Sequence, residues 1–160
     1  MKRLALKLGD LFEVETSHGK RIFKYIADDL TQLNSEVIKI FKLNYAQTDD
    51  LSLDYAVTDQ VDFYAHTNIK LGVKLRIWKK IGNTSNVGSH SEILFKIMDN
   101  DEYRAGSDNK WYVWSIGEQM QYVGGLKGEN GKAHLGLIFT PDFIKQKIIS
   151  GKYPGVFGKY

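Results

Sequence analysis

Lys110 to Ser115 reads KWYVWS, and this stretch does the most to restrict what the chain can fold into. Alternate side chains leave a strand on opposite faces. Trp111, Val113 and Ser115 then point one way, and Tyr112, Trp114 and Ile116 the other. Large apolar groups stand on both sides, as aromatic and β-branched residues favour in pleated surfaces, so this strand belongs in a sheet covered on both faces. Gly117 and Glu118 make a turn, residues 119–123 alternate as a second short strand, and Gly124, Gly125, Gly128 and Gly131 punctuate a loop. Leu135 to Phe139 reads as a short buried strand. Thr140-Pro141-Asp142 then opens a helix, with a capping hydroxyl, a proline suited to the first helical position and an acid at the positive end of the dipole. Ile144 and Ile148 fall one turn apart and face the core with Phe143 beside them, while Lys145 and Lys147 are expected to face water. Gly151 stops the helix and Pro154 prevents its continuation, so it spans about residues 141–150.

The remainder reads as strands packed around that unit. Leu4 to Leu8 and Leu11 to Glu15 alternate, and Ser17-His18-Gly19-Lys20 is a hairpin turn. Arg21 to Ala27 returns, with Ile22, Lys24 and Ile26 on one face and Phe23 and Tyr25 on the other. Asp28 to Ser35 is a loop, and Glu36 to Leu43 is a strand, giving a meander of about four strands. Asn44 to Thr58 reads as a long connection with room for an edge strand. Val61 to Tyr64, Leu71 to Ile81 and Ile93 to Met98 are further strands; Gly82 to Ser91 and Asp99 to Asn109 are loops. The expected fold is mostly β (α+β): a single twisted antiparallel sheet or small barrel with one C-terminal helix, in a single domain over residues 1–160.

Composition narrows the function classes. There is no cysteine, hence no disulfide framework, zinc–thiolate site or thiol nucleophile. No apolar run approaches the roughly 20 residues of a membrane span. Lys7 and Asp10 break the apolar run of MKRLALKLGDLFEV, so no signal peptide is expected and the cytoplasm is the default compartment. His18, His66, His90 and His134 lie in separate segments without metal-ligand spacing. His66 with Asp62 is a weak metal pair, and Ser89-His90-Ser91-Glu92 holds the residue types of a triad without any reason for them to converge. Gly131-Lys132 lacks the hydroxyl residue and following helix of a phosphate loop. Tyr112, Trp114 and Tyr122 serve as a ligand platform or, more commonly, as core. The reading therefore names no catalytic residue, no metal site and no cofactor.

Net charge is only +3, but charge is segregated along the chain. Residues 49–66 carry five acids (Asp49, Asp50, Asp54, Asp59, Asp62) and no lysine or arginine, whereas residues 67–80 carry five bases (Lys70, Lys74, Arg76, Lys79, Lys80) and no acid. Such runs are usually solvated faces. Bases interleaved with Trp78 can also hold phosphates and stack nucleobases.

Two pieces carry a family likeness. One is VKLRIWKKIGN (Val73 to Asn83), a strand ending in tryptophan and a glycine turn. The other is Tyr122-Val123-Gly124, a lysine-glycine turn, Ala133, Leu135-Gly136 and the Pro141 helix ending in Gly151-Lys152-Tyr153. With the opening Gly9-Asp10-Leu11-Phe12, they make the chain resemble bacterial Immunity protein 26 and its relatives, small, mostly β immunity components encoded beside polymorphic toxins. Trp78, Gly82, Trp114 and Tyr122 match as determinants of the fold. The resemblance implies a cytoplasmic, non-catalytic protein that neutralises a cognate protein toxin by direct binding and occlusion. Charge complementarity would aid such binding, and Asp49, Asp50, Asp54, Asp59 and Asp62 are the expected contact. The alternative is an RNA or single-strand nucleic-acid binding module that uses Lys70, Lys74, Arg76, Lys79 and Lys80.

Overall fold

The computed structural model describes residues 3–46, 52–58 and 60–160. In chain order the strands are β1 (Asp10–Thr16), β2 (Gly19–Asp29), β3 (Ser35–Phe41), β4 (Val61–Thr67), β5 (Trp78–Asn83), β6 (Leu94–Ile97), β7 (Trp111–Ser115), β8 (Gln121–Gly124), β9 (His134–Leu135) and β10 (Ile138–Phe139). The helices are α1 (Leu53–Ala56), α2 (Ile69–Lys74), α3 (Asn100–Ala105) and α4 (Pro141–Ser150). Short 3-10 turns span Gly128–Lys132 and Gly155–Lys159. The mostly β class and the C-terminal helix are as the sequence leads one to expect. The strands divide between two sheets, one of six strands ordered β10-β4-β3-β2-β1-β5 and one of four ordered β8-β7-β6-β9, and neither closes into a barrel. Pairing is antiparallel except where β10 meets β4 and β9 meets β6.

The sequence expects one strand over Leu135 to Phe139, but that stretch serves two sheets. β9 lies beside β6 and β10 lies beside β4, so the chain crosses between sheets at Gly136 and Leu137. A Cβ on Gly136 would sit inside the ring of Trp114, so only glycine lets the crossing pass that close. A second departure falls on Leu71 to Ile81. Its first part is the helix α2, and the strand begins only at Trp78. Asn68 starts the helix by accepting a hydrogen bond from the Leu71 amide at 2.9 Å. Gly72 gives the indole of Trp78 room to lie against the helix, and Trp78 Nε1 donates to the Ile69 carbonyl at 2.9 Å. The supposed loop Asp99 to Asn109 contains α3, with Asp101 and Glu102 in its first turn and Gly106 at φ 71° closing it. Leu4 to Leu8 forms no strand.

The six-stranded sheet is covered on both faces. One face presents Phe12, Val14, Phe23, Tyr25, Ile38, Ile40, Phe63 and Ala65 to Ile144 and Ile148 of α4 and to Trp78, Phe139 and Tyr153. The other face is covered in two halves. Leu11, Ile22 and Phe41 pack under Ala56 of α1. Ile26, Ala27 and Val37 pack against Ile93 and against Phe95 and Trp114 of the second sheet. Trp111 and Trp114, on opposite faces of β7, are 2% exposed each, as the bulky alternation requires. Among the described residues, no helix is long and apolar enough to cross a membrane.

Helix α4 has the ends that its sequence encodes. Thr140 Oγ1 accepts from the Phe143 amide at 3.3 Å, and Gly151 closes the helix at φ 81° with its amide donating to the Lys147 carbonyl at 2.8 Å. Lys147 differs from expectation. It is half-buried, with its ammonium 4.7 Å from the centre of the Phe63 ring and 4.3 Å from that of Tyr153, where the ring faces attract the cation. The cap is expected to matter modestly: Thr140→Ala should lower the unfolding free energy by about 1 kcal/mol in urea titration, because one helix-end amide loses its acceptor.

Candidate functional site

The most tightly organised polar group lies between the sheets. In β2 the pairing register with β3 slips between Tyr25 and Ala27. Such a bulge turns two successive side chains to one face and reverses the alternation that follows. It therefore sends Asp29 to the face that meets the second sheet, instead of the face of Phe23 and Tyr25. There Asp29 Oδ2 accepts from His66 Nε2 of β4 and from Trp114 Nε1 of β7, both at 2.8 Å, and Oδ1 accepts from the Gly117 amide at 3.2 Å. Because a carboxylate only accepts, the His66 proton at this contact is on Nε2. Phe95 packs against the imidazole with 4.2 Å between ring centres. Burial alone would raise the Asp29 pKa, but the hydrogen bonds from His66, Trp114 and Gly117 outweigh it and hold the carboxyl below its ordinary value. Asp29 and His66 are both 0% exposed and meet no solvent; the pair lies within the six-stranded sheet, and the bonds that Asp29 accepts from Trp114 and Gly117 fasten that sheet to β7 and the turn after it.

The expected acidic contact is divided. Asp49, Asp50 and Asp59 lie outside the described residues. Asp54 is exposed in the first turn of α1. Asp62 is engaged with its own chain, accepting from Arg21 Nη2 at 2.8 Å. The same guanidinium donates through Nε and Nη2 to the Phe41 carbonyl at 3.0 and 2.6 Å, so Asp62 serves to fix Arg21 across β3. The weak metal pair does not form: His66 bonds to Asp29 and Asp62 bonds to Arg21. Among the described residues, no group of three or more metal-ligating side chains converges.

The basic segment is divided as well. Glu13 of β1 stands directly opposite Lys79 of β5, and the two side chains pair at 3.2 Å. Lys80 pairs with buried Asp10 at 2.9 Å. Trp78 is buried, so its ring is not a stacking platform. Tyr122 is exposed and meets Tyr112 edge to face at 5.2 Å, whereas Trp114 belongs to the core.

Lys70, Lys74 and Arg76 remain at an exposed face built on α2 and the turn into β5. Leu71 and Leu75, one helical turn apart, are 37% and 55% exposed between these cations. Arg76 has φ 59°, a left-handed conformation that a long L side chain adopts at a cost of about 1 kcal/mol or more. Beside it lies a groove of about 380 Å³ lined by Glu13, Glu15, Val73, Arg76, Lys79 and Lys145. The sequence pointed to the cations of this face. It did not reveal that α4 contributes Lys145, nor that leucines would be left exposed among them. Reading 69–75 as a helix capped by Asn68 would have placed Leu71 and Leu75 on one side.

Comparison with known proteins adds no relative: no family model, curated protein or solved structure matches this chain.

Proposed function

We propose that this chain is an immunity-type binding protein that neutralises a cognate toxin by direct binding and occlusion in the bacterial cytoplasm, without catalysis of its own. The observation that carries the reading is the α2–β5 face. Two exposed leucines lie among three cations that make no ion pair among the described residues, with a strained arginine at the centre and a groove beside it. Interfaces between proteins combine an apolar centre with a polar rim, and arginine is enriched among the residues that dominate affinity. Backbone strain held at an exposed position is a common mark of a functional surface. The likeness of the Trp78, Gly82, Trp114 and Tyr122 segments to Immunity protein 26 points the same way. A toxin with an acidic surface suits this face. Asp54, on a different covering element, would lie at the edge of the contact or outside it.

The nucleic-acid alternative has less support. Two of its five cations, Lys79 and Lys80, are committed to Glu13 and Asp10, and its tryptophan is buried.

The experiment is co-expression with the product of the neighbouring gene, followed by purification and calorimetry. A stoichiometric complex and rescue of growth are expected. Leu75→Asp with Arg76→Glu should weaken the complex about 30-fold or more, the effect of losing hot-spot residues, while Asp54→Lys changes it little. Recovery of nucleic acid instead, released by salt with a steep dependence on its concentration, would overturn the immunity reading in favour of the alternative.

A further inference from the structure

Among the described residues, two lysines lie on the outward face of the six-stranded sheet between its two coverings. Lys24 of β2 and Lys39 of β3 are direct cross-strand partners. Like charges placed directly opposite each other destabilise a sheet, and Lys24 is only 4% exposed. Other cations of this sheet have acids to meet: Lys20 and Lys79 meet Glu13, Arg21 meets Asp62 and Lys80 meets Asp10. Among the described residues, neither Lys24 nor Lys39 is in an ion pair. Lys24 Nζ donates to the Asn86 carbonyl, which leaves two of its three N–H groups for another acceptor.

These ammonium groups line a cavity of about 300 Å³ together with Thr58, Thr84 and Asn86. Burial of charged groups costs free energy unless they are paired, so two unneutralised ammonium groups placed opposite each other are costly in the empty protein. An anion in the cavity would offset the charge of both ammonium groups. Burial, and then the charge of Lys39, depress the pKa of Lys24; burial is also the main cause of the lowered His90 pKa, to which the charge of Lys39 adds.

We infer that this cavity, between α1 and the 84–90 segment, is a binding site for a small phosphomonoester. A monoester near neutral pH carries almost two negative charges and three terminal oxygens. Two ammonium groups match that charge, and their remaining protons match its acceptors. The volume is at the lower end for small-molecule sites, enough for a phosphate with a short organic substituent. The site faces away from α4 and owes nothing to the toxin-binding proposal.

The test is calorimetry and thermal denaturation with glycerol 3-phosphate, inorganic phosphate and sodium chloride at matched ionic strength. Saturable one-to-one binding of glycerol 3-phosphate is expected with a Kd of about 1 mM or tighter. Lys39→Gln and Lys24→Met should each weaken it about tenfold or more, the loss expected when one charge-assisted hydrogen bond is removed. Both unliganded variants should melt no lower than the parent, since a like-charge pair has been relieved. Binding of glycerol 3-phosphate that is undiminished in Lys39→Gln would overturn the assignment. So would a rise in melting temperature no larger than chloride produces. Tighter binding of inorganic phosphate than of the ester would overturn the monoester as ligand.

Discussion

Asp29→Ala is expected to cost about 3–5 kcal/mol of unfolding free energy, as much as truncating a buried aromatic residue. The carboxylate accepts three hydrogen bonds, from a histidine in one sheet and from a tryptophan and a backbone amide in the other. Truncation leaves three buried donors without an acceptor and opens a void between the sheets. Each stranded donor costs about 1–3 kcal/mol where water cannot reach it. Urea unfolding followed by tryptophan fluorescence measures the loss, and Trp114 reports on the site directly. A loss under about 1 kcal/mol, the scale of an ordinary surface change, would show that the contact does not fasten the sheets.

The same carboxylate sets an acid limit. Its folded pKa is depressed, so its contribution to stability is fully present above the unfolded value of about 3.9 and is lost as pH falls through the folded one. Asp10 acts in the same sense: burial raises its pKa, but Asn83, Lys80 and the Lys7 amide together pull it below the ordinary value. Stability should therefore fall steeply below about pH 4. In Asp29→Asn that acid limb should be shallower, because the group that takes up the proton is gone. Urea midpoints measured across the acid range provide the comparison.

Gly136→Ala is expected to cost about 3 kcal/mol, an unusually large effect for one added methyl group. The new Cβ would fall within the Trp114 ring, and Trp114 is held by packing against Phe95 and by its bond to Asp29. Either the crossing strand moves, and strains the Gly136 amide bond to the Lys96 carbonyl, or the indole leaves its carboxylate. Gly131→Ala is the control. Nothing lies within 4 Å of a Cβ there, and its effect should stay within about 0.5 kcal/mol. Combining Gly136→Ala with Asp29→Ala should cost less than the sum, by about 1 kcal/mol, because both act through the same Trp114 bond.

Where function is concerned, the sequence showed charges but not their partners. The Lys79 and Lys80 side chains look available in a run of five bases. They cease to be so because β5 pairs with β1 in a register that places Glu13 opposite Lys79 and brings Asp10 to Lys80. The alternation of Lys24 with Ile22 and Ile26 was visible, and so was that of Lys39 with Val37 and Phe41. That the two lysines stand opposite each other follows only from the register of β2 on β3.

Local chemistry alone determined the α4 helix, the Ser17-His18 hairpin turn and the two-sided burial of β7. Each depends on groups within a few residues: a capping hydroxyl beside a proline, a tight turn with a glycine, bulky side chains in strict alternation. The α3 helix was also locally encoded, by its acidic first turn and Gly106, although the acidic and glycine residues read as a loop. Tertiary structure decided the rest. Residues 71–81 satisfy strand alternation and helical spacing alike, and the contact of Trp78 with Gly72 and the Ile69 carbonyl selects helix then strand. The bulge after Tyr25 turns Asp29 into the interface, and Gly136 lets a single short segment serve both sheets. These features follow from packing between residues far apart in the chain, whose energies are felt only once the sheets have met.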